Sequence, residues 1–139
     1  MKSLTVRDWM TPNPITVTPS TTVPEANTLM KQGRIRRLPV VENGKLVGIV
    51  TLGDIREASP SDATSLSIYE LNYLVAQLTV EKIMTKDPVT IDPNASIKKA
   101  AKLLLEHKIG SLPVMDGGML VGIITESDIF RVLVRETNE

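Results

Sequence analysis

Apolar positions along this chain change period as they go, and the changes mark out elements. Ile97, Ala100, Ala101, Leu104 and Leu105 fall at i, i+3, i+4, i+7 and i+8, the stripe of an amphipathic helix. Val23, Ala26 and Met30 begin the same stripe earlier, and Gly33 marks its end. The preceding Thr22-Val23-Pro24-Glu25 has the S/T-x-x-E spacing of a capping box, with proline tolerated in the first turn. The β-branched runs Ile15-Thr16-Val17 and Val89-Thr90-Ile91, closed by Pro19 and Pro93, predict short strands. Leu38-Pro39-Val40-Val41 and Leu46-Val47-Gly48-Ile49-Val50 flank Asn43-Gly44, a pair suited to a type I′ hairpin turn because both positions need positive φ. Gly117-Gly118 offers the same freedom later, and Pro39 points to an edge strand or a strand start.

The elements come in the order strand, helix, strand, turn, strand, helix, and they come twice because the sequence does. Met10-Thr11 returns as Met84-Thr85, Leu38-Pro39-Val40 as Leu112-Pro113-Val114, and Leu46-Val47-Gly48-Ile49 as Leu120-Val121-Gly122-Ile123, all at an offset of 74 residues without a gap. A repeat of this length is too long for a solenoid and predicts a pseudo-two-fold module. The boundaries read as residues 1–60 for the first repeat, 61–79 for a linker and 80–139 for the second. In the linker, Ser59 to Ser65 is turn-rich and predicts an exposed loop, and Ser67-Ile68-Tyr69-Glu70 is a second capping box. Ile68, Leu71, Val75 and Leu78 then trace a helical face that needs cover from its own module or from a partner chain. Ile129 to Val134 extends the last helix, and Glu136 to Glu139 should fray.

Composition narrows the function classes. One repeat alone would bury a marginal core, so the two halves are expected to fold together. The 139 residues are 42% hydrophobic and 23% charged, with Trp9, Tyr69, Tyr73 and Phe130 the only aromatics, so the core must be aliphatic. Zero formal net charge argues against a nucleic-acid partner held by bulk electrostatics. With no cysteine there is neither a disulfide nor a thiol nucleophile. No apolar run approaches a membrane span, and the first residues lack the apolar stretch of a signal peptide, so a cytoplasmic protein is expected. Neither metal-ligand spacing nor a phosphate-binding glycine loop occurs, and His107 has no nucleophile or orienting acid near it in sequence. No catalytic residue and no metal site are assigned. The methionines read as core fillers and Trp9 as a packing residue.

The pattern that could carry chemistry is Gly-h-h-Thr-x-x-Asp, present as Gly48 to Asp54 and again as Gly122 to Asp128. A strand delivers the hydroxyl of Thr51 or Thr125 to a helix start, and a carboxylate follows one turn later. Such a carboxylate can accept two hydrogen bonds from the vicinal hydroxyls of a ribose, where the helix dipole is positive. Glycine in the strand would let a flat base approach the backbone. The same Thr-x-x-Asp spacing also caps a helix with no ligand, a cap being worth about 0.5–2 kcal/mol.

These segments, together with Met10-Thr11…Pro14-Ile15-Thr16-Val17 and Arg37-Leu38-Pro39-Val40-Val41, resemble a tandem pair of CBS domains, a Bateman module, over nearly the whole chain. The stretches Ser65 to Leu74 and Glu106 to Gly110 further resemble the CBS region of acetoin-utilisation AcuB-like proteins. The resemblance implies an α/β fold of two pseudo-symmetric β-α-β-β-α repeats with an inter-repeat linker helix. It also implies a non-enzymatic regulatory role in energy sensing, with AMP, ADP, ATP or S-adenosylmethionine bound in clefts between the repeats. No cofactor is required, and any Mg would arrive on nucleotide phosphates. By position, one site would comprise Ile15, Arg36, Arg37, Leu38, Pro39, Thr51, Gly53 and Asp54. The other would comprise Val89, Gly110, Ser111, Leu112, Pro113, Thr125, Ser127 and Asp128. Arg36 and Arg37 can hold phosphate with charge-assisted forks where Gly110 and Ser111 cannot, so the first site should prefer phosphorylated ligands. His107 and Lys108 read as a solvated helix end. The expected assembly is a homodimeric disc acting on a separately encoded protein, with neither membrane nor nucleic acid as partner. The alternative is a ligand-free dimerisation scaffold whose Thr-x-x-Asp motifs are caps alone.

Overall fold

The structure, a computed structural model, describes residues 4–58 and 67–136, with Ile68 described by its backbone only. The expected loop over Ser59 to Ser65 and the expected fraying of Thr137 to Glu139 lie outside those residues. In chain order the helices are α1 (Val6–Trp9), α2 (Val23–Gly33), α3 (Leu52–Ala58), α4 (Ile68–Gln77), α5 (Ile97–His107) and α6 (Glu126–Glu136). The strands are β1 (Thr11–Pro12), β2 (Arg37–Glu42), β3 (Lys45–Thr51), β4 (Thr85–Lys86), β5 (Ser111–Asp116) and β6 (Met119–Thr125), and a 3-10 turn spans Val80–Lys82. Among the described residues no helix is long and apolar enough to cross a membrane.

The elements gather into two compact units. The first is Ile15–Asp87, and the second joins the described parts of Met1–Pro14 and Pro88–Glu139. In the first, β2 and β3 form an antiparallel hairpin, and β4 adds to the free edge of β3 in the order β2-β3-β4. In the second the order is β1-β6-β5, so each hairpin takes its third strand from just ahead of the other repeat's first helix. Asn43 and Gly44 adopt φ 52° and 78°, the turn that their sequence predicts. Pro39 lies in edge strand β2, where a missing N–H costs no ladder bond. Thr22 accepts a hydrogen bond from the Glu25 N–H at 3.3 Å, and Ser67 with Glu70 forms a full capping box.

The strands expected at Ile15-Thr16-Val17 and Val89-Thr90-Ile91 shrink to one bridging residue each. Val17 donates to the Pro39 carbonyl at 3.0 Å and accepts from the Val41 N–H at 2.8 Å, and Ile91 does the same with Pro113 and Met115. Flanking prolines at 14, 19, 88 and 93 remove the donors that a longer ladder would use. Helices α2 and α5 end on Arg34 and Lys108, which take φ 53° and 55°, so the left-handed cap falls on a cation rather than on glycine.

Each unit has its own aliphatic core. Leu38, Val40 and Val50 point from the first sheet onto Val23, Ala26 and Met30 of α2, and Val80 closes the cluster. Leu112, Val114 and Ile124 meet Ile97, Ala100 and Leu104 of α5 in the second, with Val6 and Trp9 of α1 added. Trp9 is therefore a packing residue, as its sequence context suggests. Helix α4 lies against α2, with Leu71, Val75 and Leu78 half-buried, while Tyr69, Tyr73 and Leu74 face solvent.

The strand glycines have a different reason from the one expected. A Cβ on Gly48 would lie 2.6 Å from Met84 Sδ and 2.8 Å from the Thr85 carbonyl oxygen. On Gly122 it would lie 2.5 Å from Met10 Sδ and 2.9 Å from the Thr11 oxygen. The space opposite each glycine is thus filled by a methionine and a neighbouring strand, and a base need not be invoked. Gly48→Ala should lower stability by about 1–3 kcal/mol through overpacking against backbone that cannot move aside. A lower midpoint of denaturant unfolding at unchanged slope would show this.

Candidate functional site

Thr51 ends β3 and caps α3, and Asp54 follows one turn in. The Thr51 N–H donates to Asp54 Oδ2 at 2.9 Å, and the Asp54 N–H donates to Thr51 Oγ1 at 3.1 Å. This reciprocal pair orients the carboxyl while engaging only one of its oxygens. Asp54 is half-buried, and among the described residues Oδ1 accepts no hydrogen bond. A diol could meet that oxygen without disturbing the cap.

Register decides which expected residues share the neighbourhood. Arg37 pairs with Thr51, and Pro39 with Ile49, across β2 and β3. Paired residues point to the same side of a sheet, so Arg37, Pro39 and Thr51 occupy the face opposite the core residues Leu38 and Val40. The bond from Val17 to Pro39 brings the strand-like segment after Ile15 alongside, and Ile15 itself is exposed. Gly53 is exposed in the first turn of α3. Arg36 is not with them. Alternation turns its side chain to the helix side, where it lines a pocket with α2 and α3, and its carbonyl accepts the Leu52 N–H at 2.7 Å. Leu38 and Leu112 are fully buried core residues, so a ligand could meet only their main chain.

The second unit repeats this frame with a different outcome. Ser111 pairs with Thr125 and is buried, Pro113 is buried, Ser127 is exposed, and the Gly110 carbonyl accepts the Glu126 N–H at 3.1 Å. Val89 packs against the core of its unit instead of standing exposed like Ile15. Asp128 Oδ2 accepts from the Thr125 N–H at 2.8 Å and from Thr125 Oγ1 at 3.2 Å. Its Oδ1 is taken by the guanidinium of Arg131, and Asp128 is 1% exposed. Both oxygens of the second carboxylate are occupied where one of the first is open. Sequence reasoning misses Arg131. The signal is visible, though, since Glu57 holds the matching position three residues past Asp54. An arginine one turn along a helix from an aspartate is placed to pair with it, and a glutamate is not. His107 and Lys108 are exposed at the end of α5, as expected. Among the described residues no cluster of His, Asp and Glu could hold a metal ion.

Two α/β units, each with a hairpin leading through threonine into a helix that presents an aspartate, define a duplicated α/β architecture. The CBS domain family model matches residues 6–61 and 80–135, and the chain belongs to that family as a tandem CBS pair, a Bateman module. The CBS domain-containing protein YhcV of Bacillus subtilis is 35% identical over 89% of this chain and 81% of its own length. By contrast the chain spans only 21% of the inosine-5′-monophosphate dehydrogenase of Korarchaeum cryptofilum, 38% identical over 84% of this chain. Among solved structures, CBSX2 of Arabidopsis thaliana in complex with AMP superposes with TM-score 0.78 at 33% identity, covering 98% of this chain and all of that one. The CBS pair of MJ0100 in complex with 5′-methylthioadenosine and S-adenosyl-L-methionine gives 0.80 at 30% identity, covering 96% and 98%. A protein of Vibrio cholerae described as acetoin-utilisation AcuB gives 0.78 at 32% identity, covering 99% and 100%.

Proposed function

We propose that this chain is a regulatory module without catalytic activity that binds an adenosine-containing ligand, with Asp54 gripping the ribose. The observation that carries the reading is the open Oδ1 of a carboxyl already oriented by the Thr51 cap. The AMP complex of CBSX2 and the S-adenosylmethionine complex of MJ0100 support the ligand class. Arg37, beside Thr51 in register, is the cation best placed for a phosphate. The first site is the working one and prefers AMP or ATP, and the second is held shut by Arg131. Binding would act on a partner only through different affinity for two arrangements of the module, a coupling of about 1–3 kcal/mol or 5–150-fold. Exposed Tyr69, Tyr73 and Leu74 on α4, and Leu105, Phe130, Leu133 and Val134 on α5 and α6, are apolar surface suited to a second copy of the chain. A cytoplasmic homodimer coupled to a separately encoded protein, in acetoin utilisation or energy sensing, completes the proposal.

Calorimetric titration with AMP, ATP and S-adenosylmethionine tests it. The expected result is one binding event per chain in the micromolar range, with AMP or ATP ahead of S-adenosylmethionine. No binding tighter than about 1 mM, a free energy near −4 kcal/mol, would remove the proposal. A second reading has its own support, because Thr51 accepts the Asp54 N–H as a helix cap and each aspartate accepts the N–H of its threonine. A scaffold with caps alone would show no rise in melting temperature with any of the three ligands.

A further inference from the structure

The helix side of the first unit holds a pocket of about 570 Å³ between the C-terminal half of α2, the entry to β2 and α3. Lys31, Arg34, Arg36 and Arg56 line it from those three elements, and Met30 and Ile55 lie among its apolar walls. Among the described residues no carboxylate lines it, and none of the four cations has an ion-pair partner. In a chain of zero net charge, four positive groups around one concavity is a concentration that folding alone disfavours, since like charges repel.

The internal duplication provides a control. The positions matching Lys31, Arg34, Arg36 and Arg56 in the second repeat are Leu105, Lys108, Gly110 and Phe130. That unit builds the same hairpin and helices with one of the four charges, so the fold does not need them. Nor does the cap at Arg34, since its left-handed φ of 53° is better served by asparagine or glycine.

We propose that this pocket is a second, separate site for a compact, multiply charged phosphate chain. Its volume falls in the range of small-molecule pockets rather than of an extended strip for a macromolecule. Three arginines arriving from different elements can fork onto several phosphate oxygens at once, which one lysine and a helix end cannot do. The site goes beyond the adenosine reading, because neither Thr51 nor Asp54 lines the pocket.

Titrating the full chain with inorganic tripolyphosphate tests the proposal. The expected result is one binding event per chain at micromolar concentration that weakens as salt is raised. Arg34→Asn combined with Arg56→Ala should weaken it at least tenfold with circular dichroism unchanged, because both side chains are exposed. Lys108→Asn, the matching change in the second unit, and Arg37→Ala, which removes the cation placed for phosphate in the adenosine site, should leave it as it is. Three outcomes overturn the proposal. They are no binding below about 1 mM, equal weakening by Lys108→Asn, and equal weakening by Arg37→Ala. The last would assign the phosphate to the adenosine site while leaving that site intact as a reading.

Discussion

Asp54→Ala should weaken the binding of AMP by roughly 100-fold, with only a modest loss of stability. A carboxylate accepting two ribose hydroxyls makes charge-assisted hydrogen bonds, each worth about 1.5–3 kcal/mol net. One oxygen stays shared with the Thr51 N–H, so about 3 kcal/mol is a fair total, and that is the stated factor. The same side chain caps α3, and losing that cap costs about 1 kcal/mol. Calorimetry and thermal melting on the same variant therefore separate the two roles. A lower melting temperature with AMP affinity within a few-fold of the parent would mean that Asp54 is a cap and nothing more.

Arg131→Ala should add a second binding event to the first. In the parent protein the Asp128 carboxylate has one oxygen on the Thr125 N–H and hydroxyl and the other on the guanidinium. A ribose would have to displace Arg131, which costs the pair before any hydroxyl is bound. Without the arginine, Oδ1 is left in the condition that Asp54 Oδ1 already has. Breaking a buried ion pair by removing one member costs about 3–5 kcal/mol. Arg131 is 63% exposed, so solvent screening brings the expected loss to the lower end of that range or below it. The variant should melt earlier without ligand, regain much of the difference with adenosine or S-adenosylmethionine, and bind two ligands per chain instead of one. A stoichiometry still at one, at saturating ligand, would show that Arg131 is no latch.

What the sequence discloses about these sites is uneven, and particular residues show why. Asn43-Gly44, the Thr22 and Ser67 caps and the stripe of α5 are local, so a few neighbouring residues specify each of them. Strands β1 and β4 are two residues long and contain or border proline, so no period announces them. They exist only because a distant hairpin has an edge to offer. The aspartates were legible as a repeated motif, but their difference was not, because it depends on what stands one turn further along the helix. Gly48 and Gly122 were legible as positions that tolerate no side chain. Their neighbours were not, since a methionine and a strand from far along the chain fill the space. Arg36 and Arg37 look equivalent as adjacent cations, and only the pleat sends them to opposite faces.

Val6 and Val80, each fully buried, sit in the unit of the repeat that they do not introduce by sequence. A protease nick between the repeats would thus leave neither fragment whole, because each would carry away a strand and a core valine belonging to its sibling. By the same logic a single repeat expressed alone would carry a leader that pairs with its sibling in the intact chain, and would have to find another edge for it, its own or a second molecule's.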